Sequence, residues 1–259
     1  MSQPKENYSA KLRAKSMVYF VICIILTLIC LVPIYILIIN ATRKHVDIIS
    51  SVSFIPGSNL AANVKKLLND PMFQFDPFIG FKNSAIIAVG STVLSVFFSA
   101  LTAYGLVVYD FKLRGPAYTF ILVVMMVPMQ VTSVGFLQFM IKLGLSDSFI
   151  PLIVPTIAAP AIVFFMRQYL KSSFPLDIVE AARIDGCGEF RTFLTIAIPM
   201  MKPAIAVQAI FAFIQNWNNF YQPSMILVSR KFEQLTMPMM INMLKSNDKI
   251  ADYGVIYAG

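Results

Sequence analysis

Residues 180–199 read EAARIDGCGEFRTFLTIAIP. An apolar segment ending in FFMRQYL lies before this stretch, and PAIAVQAIFAFI follows it. A charged, glycine-punctuated connector, 167–202, thus joins two stretches apolar enough to cross a membrane. Connectors in compact folds are usually only a handful of residues, so this one needs a purpose. Its local chemistry suggests one. Pro175 stops the preceding helix. Asp177 is placed to act as N-cap, and Glu180, three residues on, to complete a capping box. The pattern predicts a short helix over 178–185, ended by Gly186 in the left-handed conformation. A second helical stretch is expected through Phe190, Phe193 and Leu194 toward Pro199. Ala181 and Ala182 leave room for another backbone, and Ile178, Val179 and Ile184 offer apolar grip. A helix of this kind docks into a groove of another protein or rests on lipid. The residues alone leave both open.

The rest of the chain supplies the setting. It is 58% hydrophobic and 13% charged, with a mean hydropathy of +0.72. A soluble domain carries roughly 25% charged residues. Five stretches hold no charged residue: 17–39, 83–109, 116–141, 149–166 and 203–229. Each is close to the ~20 residues that a helix needs to cross a bilayer. They predict an all-α integral membrane protein with spans at 17–40, 83–109, 116–141, 149–166 and 203–229. A further apolar run begins at 253–259, the expected start of a sixth span of which the sequence holds only the first turns. The first span has too long a core for a cleavable signal and no small-residue cleavage site after it.

Flanking cations orient the spans. Lys5, Lys11, Arg13 and Lys15 precede the first span, against Arg43 and Lys44 after it, which puts the N-terminus in the cytoplasm. The segments 1–16, 110–115 and 167–202 are then cytoplasmic, and 41–82, 142–148 and 230–252 external. Within 41–82, Leu60, Val64, Leu67 and Leu68 recur near helical spacing and predict a surface helix over 59–68. The two larger external segments are the expected landing surface for an external partner.

Several function classes fall away. The net charge is +8, but the basic residues are scattered between apolar runs with no basic stripe, which excludes nucleic acid and fits anionic lipid. Cys23, Cys30 and Cys187 make neither a disulfide framework nor a zinc site. The spans hold no ionisable residue for proton coupling. There is no phosphate-cradling G-x-x-x-x-G-K-[ST] loop and no catalytic constellation. His45, beside Lys44, reads as a solvated interface residue. The chain is therefore expected to be non-catalytic, with no metal and no cofactor of its own. Energy for transport would enter from a cytoplasmic partner, through 167–202. A carrier using sodium through hydroxyls and carbonyls, or an anchor without a pathway, are the alternatives.

Glu180-Ala181-Ala182, Gly186 three residues later, then Ile196 and Ile198-Pro199 resemble the EAA loop of ABC importer permeases; the usual Leu-Pro ending is Ile-Pro here. MVPMQVTSVGFLQFMIKLGLSDSFIPLIVP and AIFAFIQNWNNFYQPSMIL are similar to the carbohydrate-uptake permeases of the maltose and multiple-sugar type. The resemblance covers roughly residues 82–257. It implies a six-span permease fold with cytoplasmic EAA coupling helices, in a bacterial plasma (inner) membrane. It implies a second homologous permease subunit, two ATPase subunits that bind ATP and Mg, and an extracytoplasmic substrate-binding protein. By resemblance, Glu180, Ala181, Ala182, Asp185, Gly186, Phe190, Phe193 and Pro199 are the ATPase-coupling residues.

Substrate class is read from polar side chains. The fifth span carries Gln215, Asn216, Asn218, Asn219, Tyr221 and Gln222 around Trp217, with Gln208 further back. The third carries Gln130, Thr132, Ser133 and Gln138. Uncharged donors and acceptors beside aromatic faces suit a sugar, although amides also act as glue between membrane helices. Gln130, Gln215, Asn216, Trp217, Asn218, Asn219, Tyr221 and Gln222 are the expected pathway residues. Pro128, Pro151, Pro155, Pro160 and Pro223 mark breaks that expose backbone to a cavity, or simple helix-end kinks.

Overall fold

A 37-residue helix, Lys5–Ala41 (α1), opens the computed structural model, which describes residues 5–246 and 252–259. Residues 1–4 of the predicted N-terminal segment and 247–251 of the predicted last external loop lie outside the described residues. The described chain holds helices and turns and no strand. After α1 come His45–Ser50 (α2), Leu60–Asn69 (α3), Pro77–Val108 (α4), Arg114–Met125 (α5), Met129–Lys142 (α6) and Ile150–Ile153 (α7). Pro160–Ser173 (α8), Asp177–Ile184 (α9), Glu189–Thr192 (α10), Ile198–Met200 (α11) and Lys202–Trp217 (α12) follow. The last are Tyr221–Ile226 (α13), Met237–Ser246 (α14) and Tyr253–Ala258 (α15).

Among the described residues, three helices are long and apolar enough to cross a membrane: Lys15–Ala41, Pro71–Val108 and Ile150–Ser173. Two bent pairs raise that to five if each is one span. The third predicted span, 116–141, is not continuous: α5 and α6 meet at 97° around Pro128. The prolyl ring removes a backbone donor and clashes with the preceding turn. The fifth, 203–229, is also interrupted. α12 ends at Trp217 and α13 resumes at Tyr221, with Asn218 and Asn219 between. The fourth runs longer than 149–166, because α8 carries Arg167 and Lys171 inside its last turns.

The chain divides into two compact units. The first holds residues up to Phe75 and from Ile241 onward. Here α15 packs against α1, α2 and α3. Arg43 is 7% exposed, yet its guanidinium is well paired. It donates to Ser51 O at 3.0 Å, Asp47 O at 2.6 Å, Ser51 Oγ at 3.3 Å and Asn40 Oδ1 at 3.4 Å. Asn63 of α3 donates to Ala41 O and Arg43 O at 2.8 and 2.9 Å, serving carbonyls that the end of α1 leaves open. Gly254 lies so close to Arg43 O that any Cβ would collide with it. His45 is not simply solvated. Its ring stacks on Tyr253 at 5.3 Å, and its Nδ1 accepts from the Tyr253 N–H. The predicted surface helix is present as α3, with Leu67 buried and Lys65 exposed.

The second unit, Asp76–Met240, is built on α4. Asp76 caps it, accepting from the N–H groups of Phe78 and Ile79. One face of α4 is lined by small buried residues, Ser91, Ser95, Ser99, Ala100 and Ala103, which let α8 and α12 approach closely. Ser91 and Ser99 donate to the carbonyls of Leu152 and Ala159 at 3.1 and 3.4 Å. Backbone freed by the break between α7 and α8 is thereby paired. The predicted external loop 230–252 is partly helical: α14 brings Met237 and Met240 onto Gly80, and Asn83 holds Glu233 O and Leu235 O. The apolar core joins Tyr104 and Val107 of α4, Met166 and Leu170 of α8, Val179 of α9, and Phe193.

Candidate functional site

The EAA stretch folds as α9. The expected capping box is absent. The helix already includes Asp177, its N-cap is Leu176, and no side chain caps it. Asp177 and Glu180 instead lie in the first turn, where carboxylates favour the positive end of the helix dipole. The C-terminal expectation holds. Gly186 has φ +76°, Gly186 N–H donates to Arg183 O, and Cys187 N–H to Ala182 O. This is a Schellman ending.

α9 is two-faced. Val179 and Ala182 are buried against the unit's own core, so Val179 is not available for grip on a partner. Glu180, Ala181, Asp185 and Gly186 are exposed, Ile178 is 37% exposed and Ile184 87% exposed. Glu180 has no intramolecular polar partner among the described residues. Phe190 is exposed, and Pro199 is exposed in α11. Phe193, expected to couple, is 1% exposed and packs against Tyr104 with tilted rings 5.3 Å apart between centroids, so it belongs to the core. The phenylalanine spacing alone could not say which side the core lies on.

A clasp that the sequence did not suggest closes over Gly186. Arg183 Nε donates to Glu189 Oε1 at 2.7 Å, and the Tyr109 hydroxyl donates to Glu189 Oε2 at 2.6 Å. The Arg183 guanidinium also lies 5.6 Å from the Tyr109 ring. The Arg183 and Tyr109 hydrogen bonds hold the Glu189 carboxyl below its usual range. The clasp ties the end of α9 to the end of α4. Beyond it, Phe193–Ala197 form a π-helical turn, and the helix then bends 80° at Met201 into α12.

The second feature is a cavity of about 490 Å³ in the same unit. Gln215, Asn216, Asn219 and Gln222 line it, with Ser95, Thr132, Ser133 and Thr156. Phe136, Met225 and the non-helical Ala158 and Ala159 complete much of the wall, and no charged side chain contributes. Asn219 Nδ2 donates to Gln222 Oε1 at 2.8 Å, which fixes both amides beside the break between α12 and α13. Asn216 donates to Ala212 O. α8 opens onto the cavity at Pro160 without a side-chain cap.

Not every expected pathway residue is there. Gln130 and Asn218 do not line the cavity. Neither does Trp217, which is packed between Phe81 and Phe213 at 5.7 and 5.5 Å. Tyr221 is not in the lining, but its hydroxyl meets Ser133 Oγ at 2.9 Å. Ser95 and Thr156 were not singled out in the sequence; hydroxyls on an apolar stripe carry little signal until the partner helix is known.

A family model described as binding-protein-dependent transport system inner membrane component matches residues 95–258. The arabinooligosaccharides transport system permease protein AraQ of Bacillus subtilis (strain 168) is 36% identical over 226 residues, 85% of this chain and 78% of its own. The lactose transport system permease protein LacG of Rhizobium radiobacter is 33% identical over 186 residues, 72% of this chain and 67% of its own. A crystal structure of a bacterial ABC transporter involved in the import of the acidic polysaccharide alginate contains a chain of the same fold. It matches at a TM-score of 0.74 and 20% identity, covering 100% of this chain and 92% of that one. The chain belongs to the binding-protein-dependent transport system inner membrane components, the permeases of ABC importers.

Proposed function

We propose that this chain forms part of the pathway of an importer for an uncharged sugar or oligosaccharide. It would act with a second permease chain, two ATPase subunits docked on the EAA loops of the two permeases, α9 being that of this chain, and an extracytoplasmic binding protein. ATP and Mg would be bound by the ATPases. The observation that carries the substrate class is the cavity: amides and hydroxyls without a charge, in a volume typical of small-ligand pockets, roughly 300–1,000 Å³. The arabinooligosaccharide and lactose systems named among the relatives point the same way.

The test is uptake by the whole transporter in proteoliposomes. Asn219→Ala and Gln222→Ala should each cut sugar uptake about tenfold or more, since a lost polar contact to a buried substrate costs about 1–3 kcal/mol. Unchanged uptake in both would remove the cavity from the pathway.

Coupling is the second part. Glu180 is exposed and has no partner in its own chain among the described residues, which leaves its carboxylate for a cation on an ATPase. Glu180→Ala should leave membrane insertion intact and weaken retention of the ATPase in a pull-down, whereas Lys142→Ala should not. Full retention and sugar-stimulated hydrolysis in Glu180→Ala would leave α9 as a connector resting on lipid. On the same proposal, the N-terminus and 167–202 would lie in the cytoplasm, and α3 would face the binding protein. Cysteine labelling from each side of sealed vesicles checks that sidedness.

A further inference from the structure

The segment after α1 does not leave the membrane surface as an ordinary external loop would. Phe54 folds back beside Tyr35: the two rings stack at 6.4 Å, and the Tyr35 hydroxyl donates to Phe54 O at 2.7 Å. Tyr35 lies about 9 Å before the end of α1 at Ala41, at roughly 1.5 Å per residue. Helical side chains also point back toward the N-terminus. Phe54 therefore sits well below the level at which α1 ends. Around it, Val46, Ile49, Val52, Phe54 and Ile55 are all strongly exposed, between 57% and 76%. Asp47 is the one charged residue between Val46 and Val64.

An apolar medium suits these side chains better than water, and part of the segment's backbone finds partners within the chain. Non-helical backbone survives near hydrocarbon only where its polar groups are paired. Ser51 O accepts from Arg43, Phe54 O from Tyr35, and Ile55 N–H and O both meet Ser53 Oγ. Gly57 N–H donates to Thr42 Oγ1, and Asn59 N–H to Thr42 O. Arg43, whose charge would otherwise need water, gives its donors to the segment itself and staples it to α1.

We propose that residues 46–55 form a lipid-immersed finger, lying in the boundary between phospholipid headgroups and acyl chains beside the end of α1. Its occupant is lipid, since Phe54 lies against Tyr35 of α1 and that stretch of α1 is itself apolar and exposed at Ile34 and Ile38. Interfacial segments bury their apolar face about 5–10 Å into this boundary, comparable with the ~9 Å by which Tyr35 precedes the end of α1. The finger leaves α3, with Lys65 and Lys66, as the water-facing part of 41–82. The inference rests on α1 being a membrane span.

Nitroxide labels test it in the complete transporter, reconstituted into phospholipid vesicles. The background carries Cys23→Ala, Cys30→Ala and Cys187→Ser, and each labelled transporter must keep sugar uptake. At Val52→Cys and Ile55→Cys, collisions with oxygen should exceed those with a water-soluble nickel chelate. At Lys65→Cys the order should reverse. Nickel excess at Val52 and Ile55 would put the finger in water. Low collision rates with both would put it under protein. Either result overturns the proposal. Ile25→Cys, Leu28→Cys and Leu31→Cys report on the span separately: no oxygen excess at any of them would sink the span and not merely the finger.

Discussion

At Gly186 the backbone sits at φ +76° with nothing within 4 Å of where a Cβ would go. A substitution there meets no steric wall; the penalty is wholly in the dihedral, about 1–2 kcal/mol for an ordinary residue. Gly186→Asn, which tolerates the left-handed region, should retain most ATPase retention and coupling, whereas Gly186→Val should lose them. Equal loss in both would mean that the position needs smallness rather than freedom. Phe193 makes a contrasting case. Truncating this fully buried ring to Ala should cost about 3 kcal/mol or more, read as a lower melting temperature of the detergent-solubilised transporter. The two residues also divide what the sequence could say. The role of Gly186 depends on its neighbours in the chain, so it was legible. The role of Phe193 depends on Tyr104, far away in sequence, so it was not.

Among elements, the clasp between α9 and α10 behaves as one unit hung on the Glu189 carboxylate. Its side chains are 39% and 46% exposed, so its contribution is small and weakened by salt. Arg183→Gln and Glu189→Gln should each raise hydrogen exchange over 186–192, and the double variant should add little, because both remove the same contact. The pH dependence has a definite sign. The folded carboxyl is held below its ordinary value by Arg183 and then Tyr109. Ionised Glu189 therefore stabilises the loop above the unfolded value, and that support disappears as the pH falls through the lower folded one. Protection of 186–192 should thus persist at pH 5 and fade only in stronger acid; loss at pH 6 would contradict the clasp. The helices themselves were read from hydropathy, which is blind to backbone direction. It found α1 and α4 well, and Pro128 hinted at the bend between α5 and α6. It missed the break after Trp217, where Asn218 and Asn219 interrupt the helix without any proline. It also missed α14, whose methionines follow a polar stretch that reads as loop.

For the molecule as a whole, the tasks proposed above divide between the two compact units. The unit built on α4 holds both α9 and the cavity, so coupling and passage are expected to respond together to changes in α4 packing. Ala161→Leu, at an exposed position of α8, would place a bulky side chain on the cavity wall. It should lower uptake while leaving the ATPase bound, measured as transport per ATP hydrolysed. Loss of ATPase binding instead would mean that the substitution had disturbed the shared core. The other unit, through Lys65 of α3, should crosslink to the binding protein, whereas Lys142 should serve as an unreactive reference. Absence of any crosslink from α3 in every nucleotide state would count against its proposed place.

The 80° bend at Met201 has a mechanical consequence. A stiff elbow redirects thrust as a bell crank does: a push along one arm becomes a sweep of the other. Counting from Met201, the arm from Glu189 is roughly 18 Å long and the arm to Trp217 roughly 24 Å, at about 1.5 Å per residue. A displacement at the clasp would thus reach the far end enlarged by about a third, and that end carries Gln215 and Asn216. On the coupling proposed for α9, a small stroke at that end of the elbow would move these two amides along the cavity wall.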